Sequence, residues 1–593
     1  MKTAEKFVPR SFNGTMWEKE GGGGIAPLVA ELLARPVASC PELERWALDR
    51  SELDAACAEA RAELYIATSC DTENKQVEAE YNLYLEEVAP KLQQSEFDLD
   101  RRLVSLADKF PLDHQRYDVM LRTKRTQVAI FREENVPLNT ELSKLSQQFG
   151  KVAGAQTVQF DGRERTIPQM KEFELSADRA LRERAWRATI ERRLRDKETL
   201  DELYDKMVGL RDRVARNAGF ATDADSGAYV KFAFSEKSRF DYTPADCRAF
   251  WTAVERRVVP FNRKRSEERR RALGVQTLRP WDLAVDVKGR ERLRPFDGGG
   301  ELVAKSLATV KSLDPRLAEM LGRMTGGSGG GAKASAGATC KTEFLDLDSR
   351  RGKRPGGYQY MRDRTRRPFI FMNAAGLHDD AMTMLHEAGH AFHSMLCADE
   401  PLLDYRHSPI EFAEVASMSM EHLSMPHWGA PGAFYTSPED LRRARHEHIE
   451  NSVTLLAWIA TIDAFQHWVY ANPGHTHEQR CAHWLELDAR FGRGASWEGL
   501  ETERAWWWQR QSHLYSHPMY YIEYGIAQLG ALQMWQASKV RGEKAAVDAY
   551  VRALSLGGSR PLPELFKAAD LSFDFGDETV ARVVEAAERE LAN

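Results

Sequence analysis

Leu385-His386-Glu387-Ala388-Gly389-His390-Ala391-Phe392-His393 is the stretch on which the reading of this chain turns. His386 and His390 are four residues apart with Glu387 between them, the H-E-x-x-H pattern of a metal-hydrolase helix. At roughly 100° per residue a helix brings positions i and i+4 to one face, so both imidazoles can converge on one ion. Glu387 follows the first histidine, where its carboxylate can reach a water on that ion. Ala388 and Gly389 carry almost no side chain, which suits a helix packed close against another element. With 16 histidines in 593 residues, about 0.04 chance matches are expected. The motif therefore calls for a third ligand and a suitable setting.

The length allows several lobes and a large core without staples. Charged residues make up 29% and apolar ones 42%, an ordinary composition for a globular chain. The formal net charge of −6 argues against a general nucleic-acid binder. Met1–Phe7 lacks a continuous apolar core, so no secretory signal is expected. Val453 to Tyr470 is the most apolar later run, and Asp463, Gln466 and His467 interrupt it; it reads as a buried helix, not a membrane span. The cysteines at 40, 57, 70, 247, 340, 397 and 481 are odd in number, widely spaced and form no Cys-x-x-Cys pair. They read as buried thiols of a reduced, cytoplasmic protein.

From about Pro27 to Phe149 apolar residues recur at steps of three and four, the mark of helices, with breaks at Pro90, Pro111 and Pro137. Thr157–Phe160 and Arg163–Ile167 alternate around Asp161-Gly162, which predicts a hairpin near 156–167. Arg256 to Arg271 is densely basic, but Glu267 and Glu268 are interleaved and the spacing fits one solvated helix face. The Gly-rich stretch 325–339 is expected to be a mobile loop. Beyond it come the only sustained strand signals, Phe344–Asp348, Gly356–Tyr360 and Pro368–Met372, which lead into the His386 helix. The expected division is a helical lobe over 1–205 and a catalytic region over 206–593.

Zinc bound by H-E-x-x-H needs one more protein ligand and an open position for water. A histidine six residues past His390 is absent, since Leu396 stands there. Glu411, Glu414 and Glu421 instead form one helical stripe among Phe412, Ala413, Val415 and Ala416. An inward glutamate in such company needs a partner, and a cation supplies one. Spacing does not choose among the three; Glu414 is favoured, with Glu411 or Glu421 bonding the ligand histidines. His393, one turn past His390, is read as support and not as a ligand.

At these residues the chain resembles the thimet oligopeptidase and oligoendopeptidase F family of zinc peptidases. The resemblance rests on His386–His393, on Phe412-Ala413-Glu414-Val415-Ala416-Ser417, and on Pro518-Met519-Tyr520-Tyr521-Ile522-Glu523-Tyr524. Arg239–Asp246 and Phe344–Gly357 support it, and it runs from about residue 110 to 575. It implies a mainly α, multi-helical, two-lobed peptidase fold around a deep channel, with a small β-sheet next to the zinc-binding helix. It also implies His386, His390 and Glu414 as ligands of one zinc ion and Glu387 as general base. His513, Tyr520, Tyr521 and Tyr524 are then candidates for binding the developing oxyanion. The implied substrates are short unstructured peptides cut internally, with Phe369–Met372 as the edge strand that aligns them. A zinc carboxypeptidase or dipeptidyl carboxypeptidase is the alternative enzyme. A catalytically silent peptide-binding protein is the alternative of another class.

Overall fold

The computed structural model describes residues 24–223, 226–325 and 340–592, and the Gly-rich stretch 326–339 lies outside them. Most of these residues are helical, with five short strands: β1 (Thr157–Phe160), β2 (Arg163–Thr166), β3 (Leu345–Asp348), β4 (Tyr358–Arg362) and β5 (Arg367–Ala374). The chain divides into two compact units built from interleaved segments. The first takes residues 1–129, 293–447 and 530–573; the second takes 130–292, 448–529 and 574–593. A boundary at 205 falls inside the helix Lys197–Asn217 of the second unit. All seven cysteines are unpaired. No helix among the described residues is long and apolar enough to cross a membrane.

In the second unit the hairpin forms as the Asp-Gly pair predicts. Asp161 (φ 49°) and Gly162 (φ 74°) both adopt the left-handed conformation that a tight two-residue turn requires. Thr157 then pairs with Thr166, and Phe160 with Arg163. The basic stretch lies on the helix Pro244–Ala272, opened by a reciprocal Thr243–Asp246 cap in which the Thr243 N–H donates to Asp246 at 2.7 Å. Its cations are met by acids: Arg257 by Asp577, Lys264 by Glu588 at 3.1 Å, Arg265 by Glu450 at 2.6 Å. The first two fasten this helix to Asp577–Leu591 and the third to Pro438–Ala471.

In the first unit the sheet order is β3-β5-β4, with β3 parallel and β4 antiparallel to β5. This corrects the expectation for Phe369–Met372. That run belongs to β5, the central strand, and the edges are β3 and β4. A strand covered on both faces is apolar throughout, which is why β5 carries the strongest strand signal. Phe369 and Phe371 pack with Tyr358, Tyr360 and Ile66 of the helix Cys40–Cys70. Alternate residues turn to the opposite face, where the helix His378–Leu396 covers the sheet.

Lys353 ties the sheet together from inside. Its buried ammonium donates to the Asp346 carboxylate at 2.9 Å and to the carbonyls of Asp348 at 2.9 Å and Met372 at 2.5 Å. Burial raises the Asp346 carboxyl, but Arg350 and Lys353 outweigh it and hold the group down at about 2. Lys353→Met removes one member of a buried charged set and the donor these acceptors share, so it should destabilise this unit by about 3–5 kcal/mol. A lowered midpoint in chemical denaturation measures it.

Candidate metal centre

The helix His378–Leu396 starts just past Gly376, whose φ of 87° allows the sharp entry. Asp380 in its first turn ties down the segment that enters it, accepting from the N–H groups of Ala375 at 2.8 Å and Leu377 at 2.9 Å. Ala381, Met384, Leu385, Ala388 and Phe392 are buried. The neighbouring helix Ile410–Ser424 is buried over nearly its whole length. The two meet at Gly389: a Cβ there would stand 2.7 Å from both the Ala416 carbonyl oxygen and the Ser417 Cα. Only hydrogen fits between them.

That approach sets the donor spacing. Glu414 Oε2 lies 3.3 Å from His386 Nε2 and 3.7 Å from His390 Nε2. Tetrahedral ligands of a zinc-sized ion have neighbouring donors about 3.3–3.6 Å apart, so the three side chains fit such an ion. The sequence left Glu411, Glu414 and Glu421 open. Here Glu414 stands with the histidines as a group able to hold a metal. Glu421 instead accepts from His386 Nδ1–H at 2.8 Å, fixing the tautomer that presents Nε2. Glu411 is buried outside the group.

The sequence profile of Peptidase family M3 matches residues 173–297 and 333–583, more than half of the chain. The chain belongs to peptidase family M3. Among solved structures it resembles PZ peptidase A with an inhibitor, at TM-score 0.82 and 27% identity over 96% of each chain. Among curated relatives, the oligoendopeptidase F homolog of Lactococcus lactis subsp. lactis is 25% identical over 165 residues, 28% of this chain. Oligopeptidase PepF of Bacillus subtilis is 26% identical over 255 residues, 42% of this chain. These two matches cover 24% and 36% of the relatives' own lengths.

In this M3 chain Glu387 is buried beside the two histidines. Burial raises its carboxyl to about 7; the His386 charge opposes the rise and Glu414 adds to it. The main-chain N–H of Gln359, on edge strand β4, also donates to it. Burial would lower His386, but its hydrogen bonds to Glu414 and Glu421 hold it well above the ordinary histidine range. Burial would raise Glu414, yet His386, His390 and the Ser417 hydroxyl (3.0 Å) bring it down to about 2. The Gln359 and Ser417 contacts were missed in the sequence. For Ser417 a signal existed, since it follows Glu414 by three on the same stripe. His393 is buried against Phe412, pushed down to about 3 by burial, and stays outside the metal group.

His513, Tyr520, Tyr521 and Tyr524 form a separate cluster in the second unit. The Gln511 amide donates to His513 Nδ1 at 2.8 Å, which leaves Nε2 as the N–H, 3.5 Å from the Tyr524 hydroxyl. The Tyr521 and Tyr520 rings stand 5.1 and 5.9 Å from the imidazole. Tyr521 is buried and bonded to Trp458 and Gln511, whereas His513, Tyr520 and Tyr524 keep part of their surface exposed.

Glu421→Ala should weaken zinc binding about 10–100-fold, Glu414→Ala should weaken it more, and Glu411→Ala should leave it near the parent value. Because His386 must shed a proton before Nε2 can bind a cation, affinity should rise with pH, roughly tenfold per unit. Competition with a chromophoric chelator at several pH values checks both expectations.

Proposed function

We propose that the chain is a zinc-dependent oligoendopeptidase that hydrolyses internal bonds of short, unstructured peptides. The observation that carries this reading is the His386–His390–Glu414 triangle with a buried carboxylate, Glu387, beside it and bonded to an edge strand. Family membership and the likeness to PZ peptidase A support it. A zinc ion in that triangle would supply a Lewis acid that acidifies a water and polarises the scissile carbonyl.

The residues of the chain supply the rest. His386, His390 and Glu414 hold the ion, and Glu421 orients His386. Glu387, with a carboxyl near neutrality, accepts the proton of the attacking water and passes it to the leaving amine. An extended peptide would add to the free edge of β4, where the Gln359 N–H already reaches Glu387. Such pairing reads main chain and so favours unfolded substrates. For His513, Tyr520 and Tyr524 the family resemblance is the support for a role as oxyanion donors; the burial and bonding of Tyr521 favour a packing role for it. The seven unpaired cysteines support a reducing, cytoplasmic setting.

Glu387→Gln should retain zinc and lose about 10²–10⁴ in kcat, measured on a fluorogenic peptide blocked at both ends. Internal cleavage of that peptide by the parent chain separates an endopeptidase from a carboxypeptidase or dipeptidyl carboxypeptidase. Near-parental turnover by zinc-loaded Glu387→Gln would overturn the mechanism.

A further inference from the structure

The helix Pro438–Ala471 is mostly apolar along its later turns, where Asp463 and His467 stand four residues apart on one face. Opposite them, in the first turn of the helix Pro244–Ala272, is Cys247. Cys247 and Asp463 are fully buried and His467 is 7% exposed. One ligand atom of each lies within 4.8 Å of the other two, and His467 Nε2 is 3.8 Å from Asp463 Oδ2.

The polar atoms of this cluster are only partly used. Trp251 Nε1 donates to Asp463 Oδ2 at 2.8 Å, and the Trp251 ring stands edge-on to His467 at 5.0 Å. Asp463 Oδ1 and His467 Nε2 are buried with no hydrogen-bond partner. Leaving such atoms unmet costs free energy, and two of them beside a buried thiol are a metal-ligand set. We propose that Cys247, Asp463 and His467 form a second metal site, distinct from the His386 centre, for a divalent ion of the zinc or cobalt type.

The chemistry of the donors selects the ion. Thiolate and imidazole suit a borderline-soft transition ion and disfavour magnesium or calcium. Thiolate and carboxylate together cancel a charge of +2, so the loaded site is neutral, as a buried site requires. Of the cations whose charge reaches the cluster, Arg239 and Arg248, Arg239 is already paired with Glu523 at 2.5 Å. Binding releases the thiol proton and any proton on Asp463. The Trp251 N–H fixes the carboxylate, as outer contacts do around metal ligands. The donors must close by about an ångström to reach tetrahedral spacing, a matter of side-chain torsions. Three protein donors leave one position for water. The ion would pin the start of Pro244–Ala272 to Pro438–Ala471 within the second unit.

Cobalt distinguishes this site from the other, because His386, His390 and Glu414 contain no sulfur. The full chain, stripped with chelator and titrated with Co²⁺, should take a second equivalent and develop a thiolate-to-cobalt charge-transfer band in the near ultraviolet. Cys247→Ser should lose that band and one equivalent while the equivalent at the His386 centre remains. His467→Gln, which keeps the thiol, should weaken the same equivalent and serves independently should Cys247→Ser misfold. A parent chain that takes one equivalent without the band, or a band that survives in both variants, would overturn the proposal. None of these readings depends on peptidase activity.

Discussion

The centre depends on one close approach, the hydrogen of Gly389 against the main chain of Ala416 and Ser417. The distance between two helices fixes where Glu414 can stand relative to His386 and His390. A methyl group at 389 would meet backbone, which cannot rotate away, and the displaced helix would carry its carboxylate with it. The far side of that helix is held as well. The Tyr550 hydroxyl donates to the Ala416 carbonyl at 2.8 Å, and a Cβ at Gly530 would stand 2.7 Å from Val415. The segment 530–573 thus belongs to the unit that holds the centre because it clamps the Glu414 helix.

Close packing and charge work against each other here. Glu387, Glu414, His386 and His390 lie together in surroundings that disfavour any single ion. Each charge is therefore tied to another: Glu414 to His386 and Ser417, His386 to Glu421. Glu387 is the exception, since the His386 charge and one main-chain N–H do not offset its burial and its carboxyl rises toward neutrality. A carboxylate held least firmly is the one best able to move a proton. The same poor solvation that would suit it to act as a base makes it a cost to the fold.

What the sequence discloses follows from what each signal measures. The pair His386 and His390 is legible because a helix repeats every 3.6 residues, and Asp161-Gly162 because the turn demands positive φ at both residues. The candidate third ligand was only narrowed to three, since Glu411, Glu414 and Glu421 share a face and periodicity carries no distance. The strand order misled for a physical reason. Apolar runs report burial on both faces, so β5 stands out because it is central, while the edge strand β4, with Tyr358, Gln359 and Tyr360, reads as less regular. The interleaved units are invisible to local pattern, because 293–447 and 530–573 join through contacts across long stretches of chain.

Asp463 and His467 show the same limit from the other side. In an apolar stretch they read as interruptions, evidence against a membrane span and nothing more. Yet their spacing matches that of His386 and His390, and in both places a third donor arrives from another helix. In one case that donor, Glu414, lies a few turns along the chain, within reach of a search for downstream carboxylates. In the other it is Cys247, far upstream among widely spaced thiols with no pattern to mark it. A ligand set assembled by tertiary contact betrays only its local half in the sequence. Two polar residues one turn apart in a mostly apolar stretch of helix are that half, and what they face has to be read from the fold.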